Sequence, residues 1–188
     1  VRVGTELAAL ECIRFGVTTV ADMYFFAETV AGILDGAGLR GLVGQVFANV
    51  PMPEDRALGT DKSKLFDGLV ERFRGHERII PALAPHAPYT CDDALFKQVI
   101  ALSNKYSAPI HTHVCETAFE VTESQSKFGK SPIARLYDLG VLTKRTICAH
   151  CVHLDDADIA LLKKSGAAAV YNPNSNMKLS SGIAPIIK

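Results

Sequence analysis

The segment His111-Thr112-His113-Val114-Cys115-Glu116 puts two imidazoles and a carboxylate close together in the chain. In a strand, residues two apart share a face, so His111 and His113 point the same way, and near the strand end His113 could reach a metal ion. Imidazole suits zinc or iron, and a nearby carboxylate that is not itself a ligand can shuttle protons for an activated water. Glu116 stands three residues on, where the loop turns back. The competing reading is a histidine-rich strand end with satisfied hydrogen bonds, because short histidine patterns often match by chance.

Three other segments carry chemistry of the same kind. Cys148-Ala149-His150-Cys151-Val152-His153 reads as a metal knuckle, as a redox Cys-x-x-Cys, or as two buried thiols packed around a functional His150. A structural zinc would want a second ligand pair at matching spacing, and a thioredoxin-like motif would open a helix. The third reading is preferred. Pro85-His86-Ala87-Pro88-Tyr89 is a rigid loop that presents an imidazole, or a turn with an incidental histidine. Asn172-Pro173-Asn174-Ser175-Asn176 is either turn chemistry or a wall of amides aimed at a substrate rich in heteroatoms. His76, between Gly75 and Glu77, is expected on the solvated surface.

These groups need elements that bring them together. Apolar residues at helical spacing over 3–15 end at Gly16, and a β-branched run follows at 17–21. The alternation repeats with a helix at 28–37, a strand at 42–47, a helix at 62–74 and a strand at 79–84. Thr90 to Asp93 reads as the cap of a helix reaching Tyr106, which leads into a strand at 109–114. Ser131-Pro132 starts the next helix, which stops near Gly140 before a strand at 146–149. Asp155 and Asp158 start another, ending at Gly166 before a strand at 167–171, and a polar loop follows from Asn172. Strands that are almost continuously apolar and separated by helices imply a parallel sheet, open or closed into a barrel. Asp22, His86, His113, His150 and Asn172 fall at the ends of different strands, which favours the barrel, since an open sheet gathers its ligand groups at one switch point. The stretch 1–188 reads as one central part of such a domain.

Composition narrows the partners. Lys plus Arg and Asp plus Glu are each 20, so the net charge is zero and no field favours nucleic acid or an acidic membrane. No apolar stretch approaches the roughly 20 residues of a membrane helix, and a cytoplasmic location is expected. The five cysteines are scattered and odd in number, which points to reduced thiols. A partial barrel exposes strand edges and apolar core, so in isolation aggregation or pairing with another chain, a second copy included, is expected.

Five segments together resemble the methylthioadenosine/S-adenosylhomocysteine deaminase family of the amidohydrolase superfamily. They are Ala21-Asp22-Met23-Tyr24-Phe25, the segment from Ala84 to Tyr89, the segment from His111 to Thr117, Ala149-His150-Cys151-Val152-His153-Leu154, and the segment from Asn172 to Pro185. The resemblance implies an α/β fold, a partial (β/α)8 TIM barrel with about six parallel strands, its first and last strands lying outside this sequence. It further implies one divalent metal, zinc first with iron or manganese as alternatives, held in part by His113. Glu116 would be the catalytic proton shuttle and touch substrate, His150 would orient the attacking water or the substrate, and His86 would line the substrate pocket. His111 would be a packing residue. The implied reaction is hydrolytic deamination of an adenosine-type nucleoside, with water attacking the amino-bearing ring carbon and ammonia leaving. The family's His-x-His pair is expected before Val1 and its last Asp after Lys188, so this stretch alone is expected to be inactive. Tyr171 stands where many relatives have a histidine. Rival readings are a deaminase or chlorohydrolase acting on guanine, cytosine or s-triazine rings, and a non-catalytic barrel fragment.

Overall fold

The computed structural model of the chain describes residues 1–187. Strands and helices alternate in the order α1 (Arg2–Arg14), β1 (Thr19–Asp22), α2 (Ala27–Gly36), β2 (Arg40–Phe47), α3 (Asp55–Leu58), α4 (Lys62–Phe73), β3 (Ile79–Pro85), α5 (Asp93–Tyr106), β4 (Ile110–Val114), α6 (Ala118–Phe128), α7 (Pro132–Leu139), β5 (Thr146–His150), α8 (Asp156–Ser165), β6 (Ala168–Val170) and α9 (Pro173–Lys178). The strand order in the sheet follows the sequence from β1 to β6, and helical crossovers of this kind join parallel neighbours. The six expected strands are all present. Two compact units are distinguished, Val1–Ala84 and Pro85–Lys188. Among the described residues no helix is long and apolar enough to cross a membrane.

In the first unit β1 and β2 pair in parallel, with Thr19 opposite Arg40 and Asp22 opposite Val43. Gly44 is required where strands crowd, because a Cβ there would lie 2.6 Å from the Ala84 Cβ and 3.1 Å from the Asp22 carbonyl oxygen. Helix α2 buries Ala27, Val30, Ala31 and Leu34 at helical spacing, and they join Leu39, Val43, Leu69, Phe73 and Ile79 in one core. Helix α1 buries only Ala9, and Val3, Leu7, Leu10 and Ile13 stay exposed. A polar clamp ties the loops together. The Glu54 carboxylate, fully buried, accepts from the Phe26 N–H at 2.6 Å, from Gln45 Nε2 at 2.8 Å and from Lys62 Nζ at 2.8 Å. Phe26 has a φ of 62°, a conformation that a non-glycine residue keeps only when its surroundings hold it.

His76 corrects the reading of it as solvated surface. Its Nδ1 accepts from the Arg78 and Ile79 N–H groups at 3.2 and 3.1 Å, and its ring packs edge-on to Phe73. The entry to β3 leaves backbone donors ahead of the ladder, and the imidazole satisfies them.

In the second unit β4 and β5 run parallel, His113 opposite Ala149 and Val114 opposite His150, and β5 pairs β6 from Ile147 opposite Ala168. The expected cap of α5 at Thr90 is also corrected. Asp92 is the N-cap and accepts from the Leu95 N–H at 2.8 Å, which leaves the Thr90 hydroxyl for other work. Ser131 with Pro132 caps α7, Gly140 and Gly166 end α7 and α8 in the left-handed region, and Asp155 with Asp158 forms a capping box on α8. Three helices lie where no helix is expected from periodicity, the first being the short α3 (Asp55–Leu58). Helix α6 opens at Thr117, whose hydroxyl accepts from the Glu120 N–H at 3.2 Å, and α9 opens at Asn172-Pro173, so the stretch after Asn172 is not simply a polar loop. Thr-x-x-Glu and Asn-Pro are start signals that weigh little without a long apolar stripe behind them.

Candidate active site

The candidate residues of the second unit sit at strand ends, and the backbone there is unusual. Cys115 just after β4, and His150 and Cys151 at the end of β5, have φ values of 53°, 75° and 50°. Three backbone bonds hold these kinks against each other. The Cys151 N–H donates to the Val114 carbonyl at 3.1 Å, and the Val152 and His153 N–H groups donate to the Cys115 carbonyl at 3.0 and 2.9 Å. Strain of this kind, pinned by neighbours, is concentrated at functional positions in proteins generally.

The kinks bring side chains together. The rings of His86 and His113 are 5.1 Å apart between centroids, those of His113 and His150 5.4 Å, and those of His111 and His113 6.4 Å. The Glu116 Oε1 lies 3.8 Å from His150 Nδ1. All four residues singled out as site candidates, His86, His113, Glu116 and His150, thus fall in one neighbourhood.

Hydrogen bonding assigns the same tautomer to three of the imidazoles. His113 Nδ1 is 2.9 Å from the His86 carbonyl oxygen; a carbonyl only accepts, so Nδ1 carries the proton. His150 Nδ1 is 2.8 Å from Asn176 Oδ1, an acceptor as well. His86 Nδ1 is 3.0 Å from the Thr90 hydroxyl, whose own proton goes to the Ala87 carbonyl at 3.1 Å, so the hydroxyl accepts. Each neutral ring therefore has a lone pair at Nε2. Burial keeps His113 neutral, helped by the neighbouring imidazoles, pulling its pKa down to about 4. Burial lowers His86 too, against the opposing pull of Glu116. His111 is likewise held near 4, first by burial and then by His150, and its Nδ1 has no hydrogen-bond partner.

A neutral ring whose Nδ1–H is tied to a carbonyl is the form in which histidine ligates a metal. His113 fits that role chemically. Among the described residues no group of three or more His, Cys, Asp or Glu side chains is placed to hold an ion, so His113 offers one donor and not a set. The thiols of Cys115, Cys148 and Cys151 are free and buried; burial pushes Cys115, and the hydrogen bond with Cys151 followed by burial pushes Cys148, above the ordinary thiol range. That suits packing around His150 rather than redox exchange.

Three partners were not singled out from the residue pattern: Thr90 on His86, Asn176 on His150, and Glu120, whose Oε2 accepts from the Glu116 N–H at 2.9 Å. Asn176 belongs to the amide-rich stretch, and it is fully buried, whereas Asn174 is exposed. In the first unit Asp22 ends β1 with Oδ2 unpaired, and burial raises its pKa.

Comparison with known proteins identifies the family. The amidohydrolase family profile matches residues 1–188. The chain is 41% identical over 187 residues to a 5-methylthioadenosine/S-adenosylhomocysteine deaminase of Caldanaerobacter subterraneus subsp. tengcongensis, covering 98% of this chain and 42% of that protein. It is 40% identical over 186 residues to a 5'-deoxyadenosine deaminase of Methanopyrus kandleri, with the same coverage of each. The crystal structure of an adenosine deaminase from Xanthomonas campestris with bound zinc superposes with a TM-score of 0.92 at 38% identity, over 97% of this chain and 42% of that one. The chain thus spans less than half the length of the relatives it matches. With the profile matched along its whole length, this chain belongs to the amidohydrolase family.

Proposed function

We propose that the protein containing this chain is a metal-dependent hydrolytic deaminase of an adenosine-type nucleoside such as methylthioadenosine or S-adenosylhomocysteine. The observation that carries the reading is the meeting of Glu116 and His150, 3.8 Å apart, beside the neutral His113. The names of the similar proteins support the substrate class.

A divalent metal held in part through His113, zinc by analogy with the Xanthomonas structure, would supply water acidified toward neutrality. Glu116 has the reach and chemistry to accept a proton from water and pass it to a ring nitrogen, which removes the ring's resistance to addition. His150, its Nδ1–H fixed on Asn176, presents Nε2 as an acceptor that orients the attacking oxygen. His86, locked by Thr90, presents Nε2 to a donor on the substrate. Each role uses a group whose proton position is already set, so no reorganisation is needed at the moment of reaction.

The test is ammonia release by the full-length protein from methylthioadenosine and S-adenosylhomocysteine, with metal content measured on the same sample. Release from either, lost on chelation and restored by zinc, supports the proposal. A metal-loaded protein that releases ammonia only from guanine, or chloride from a triazine, would reject the nucleoside assignment.

A further inference from the structure

Among the described residues of the second unit, two buried acids stand outside the proposed chemistry: Asp158, which closes the capping box of α8 and pairs with the Ser131 hydroxyl, and Glu120. Glu120 is 3% exposed and stands on the first turn of α6. A first-turn glutamate ordinarily reaches back to the N–H of the capping residue. Glu120 reaches one residue further, to the N–H of Glu116, and its other oxygen is buried with no hydrogen-bond partner. An exposed cap would serve the helix without that desolvation penalty. The acid is also placed near like charges: burial, opposed by the backbone N–H groups of Cys115 and Glu116 and helped to a smaller extent by the charges of Glu116 and Glu123, pushes its carboxyl up to about 7. An arrangement this costly needs a return beyond helix capping.

The return lies in the geometry of Glu116. This residue follows Cys115, whose left-handed turn ends β4. The carbonyl of Cys115 is held by two N–H groups from the end of β5, and the N–H of Glu116 is held by Glu120. The peptide that joins Cys115 to Glu116 is therefore gripped at both its oxygen and its nitrogen. With that peptide fixed, the Glu116 side chain starts from one origin and meets His150.

We propose that Glu120 is a positioning residue for Glu116, its carboxylate orienting the backbone from which the Glu116 carboxylate reaches the reacting atoms. This rests on the proton-transfer role proposed for Glu116. Glu120 touches neither substrate nor metal, so its removal should affect the chemical step and leave substrate binding nearly as it was.

The experiment compares full-length wild type, Glu120→Met and Glu120→Gln, by kcat and KM for ammonia release from methylthioadenosine and by hydrogen exchange at the Glu116 amide. Methionine fills the space without an acceptor; glutamine keeps an amide oxygen for the Glu116 N–H. Glu120→Met should lower kcat by about 10 to 100-fold with KM within about twofold, since small misplacements of catalytic groups cost rates of this order. Glu120→Gln should recover most of kcat. Exchange at Glu116 should quicken at least about tenfold in the methionine variant and return toward wild type in the glutamine variant. Equal kcat in the folded methionine variant, or a rise in KM at unchanged kcat, overturns the proposal. Should wild type release no ammonia from a nucleoside, the functional reading fails by itself. The amide exchange then decides the clamp: unchanged exchange overturns it, and quickened exchange restored by glutamine supports it.

Discussion

Glu54 in the first unit and Glu120 in the second are buried carboxylates of the same type, and each holds a backbone N–H at a kinked turn. Glu54 grips Phe26, itself left-handed, and Glu120 grips Glu116, next to left-handed Cys115. Their surroundings differ. Glu54 faces Lys62 and Gln45, so both its oxygens are satisfied; Glu120 faces Glu116 and Glu123 and keeps one oxygen unpaired. A fully paired buried acid is an economical structural tie, whereas an underpaired one among like charges is tolerated where position serves something other than stability. The contrast separates a paired structural acid from an underpaired one next to the candidate site.

The largest effect expected is on the chemical side. Glu116→Gln in the full-length protein should lower turnover about 10²- to 10⁴-fold with an unchanged circular dichroism spectrum. Near-normal turnover would remove the proton shuttle and erase the distinction between the two acids. On the structural side, Glu54→Ala leaves the Phe26 N–H and Gln45 Nε2 without their acceptor while Lys62 keeps Asp55, and should cost about 2 to 4 kcal/mol in urea unfolding. Activity per folded molecule should be retained.

A pH experiment sharpens the comparison. The Glu120 pKa is raised from 4.5 to about 7, so the folded protein binds the proton more tightly than the unfolded chain, and stability declines as pH rises from about 4.5 through 7. Glu120→Gln removes this term. Relative to wild type, it should gain about 3 kcal/mol between pH 4.5 and pH 8, read from melts of metal-free protein. His111 and His113, lowered from 6.5 to about 4, act in the opposite sense: stability falls as pH drops through 6.5 toward 4. That slope is common to both proteins and cancels in the difference. The smallest effect is a control. Asp61→Ala on α4 and Asp155→Ala on α8 each remove an N-cap carboxylate and should cost about 1 kcal/mol alike, since ordinary capping does not distinguish the units.

The parts legible in the sequence were those encoded locally. Apolar runs such as Ile79 to Ala84 announce buried parallel strands, and Ser131-Pro132 and Gly140 mark the limits of α7. His86, His113 and His150 stood out by type and by position after strands. Thr90, Asn176 and Glu120 did not, because their roles depend on partners four residues or more away along a folded path. Thr90 read plausibly as a cap until Asp92 took that place, and His76 read as surface until its ring was found closing the entry to β3.

The three bonds that pin the ends of β4 and β5 join backbone to backbone. Side chains at Cys115, Cys151 and Val152 contribute nothing to them. The bonds themselves ask only that residues at those positions fit the core and tolerate the turn. A substitution such as Cys115→Gly would ease the left-handed turn and leave the pins intact. Directed evolution toward another substrate would therefore vary these positions without parting Glu116 from His150.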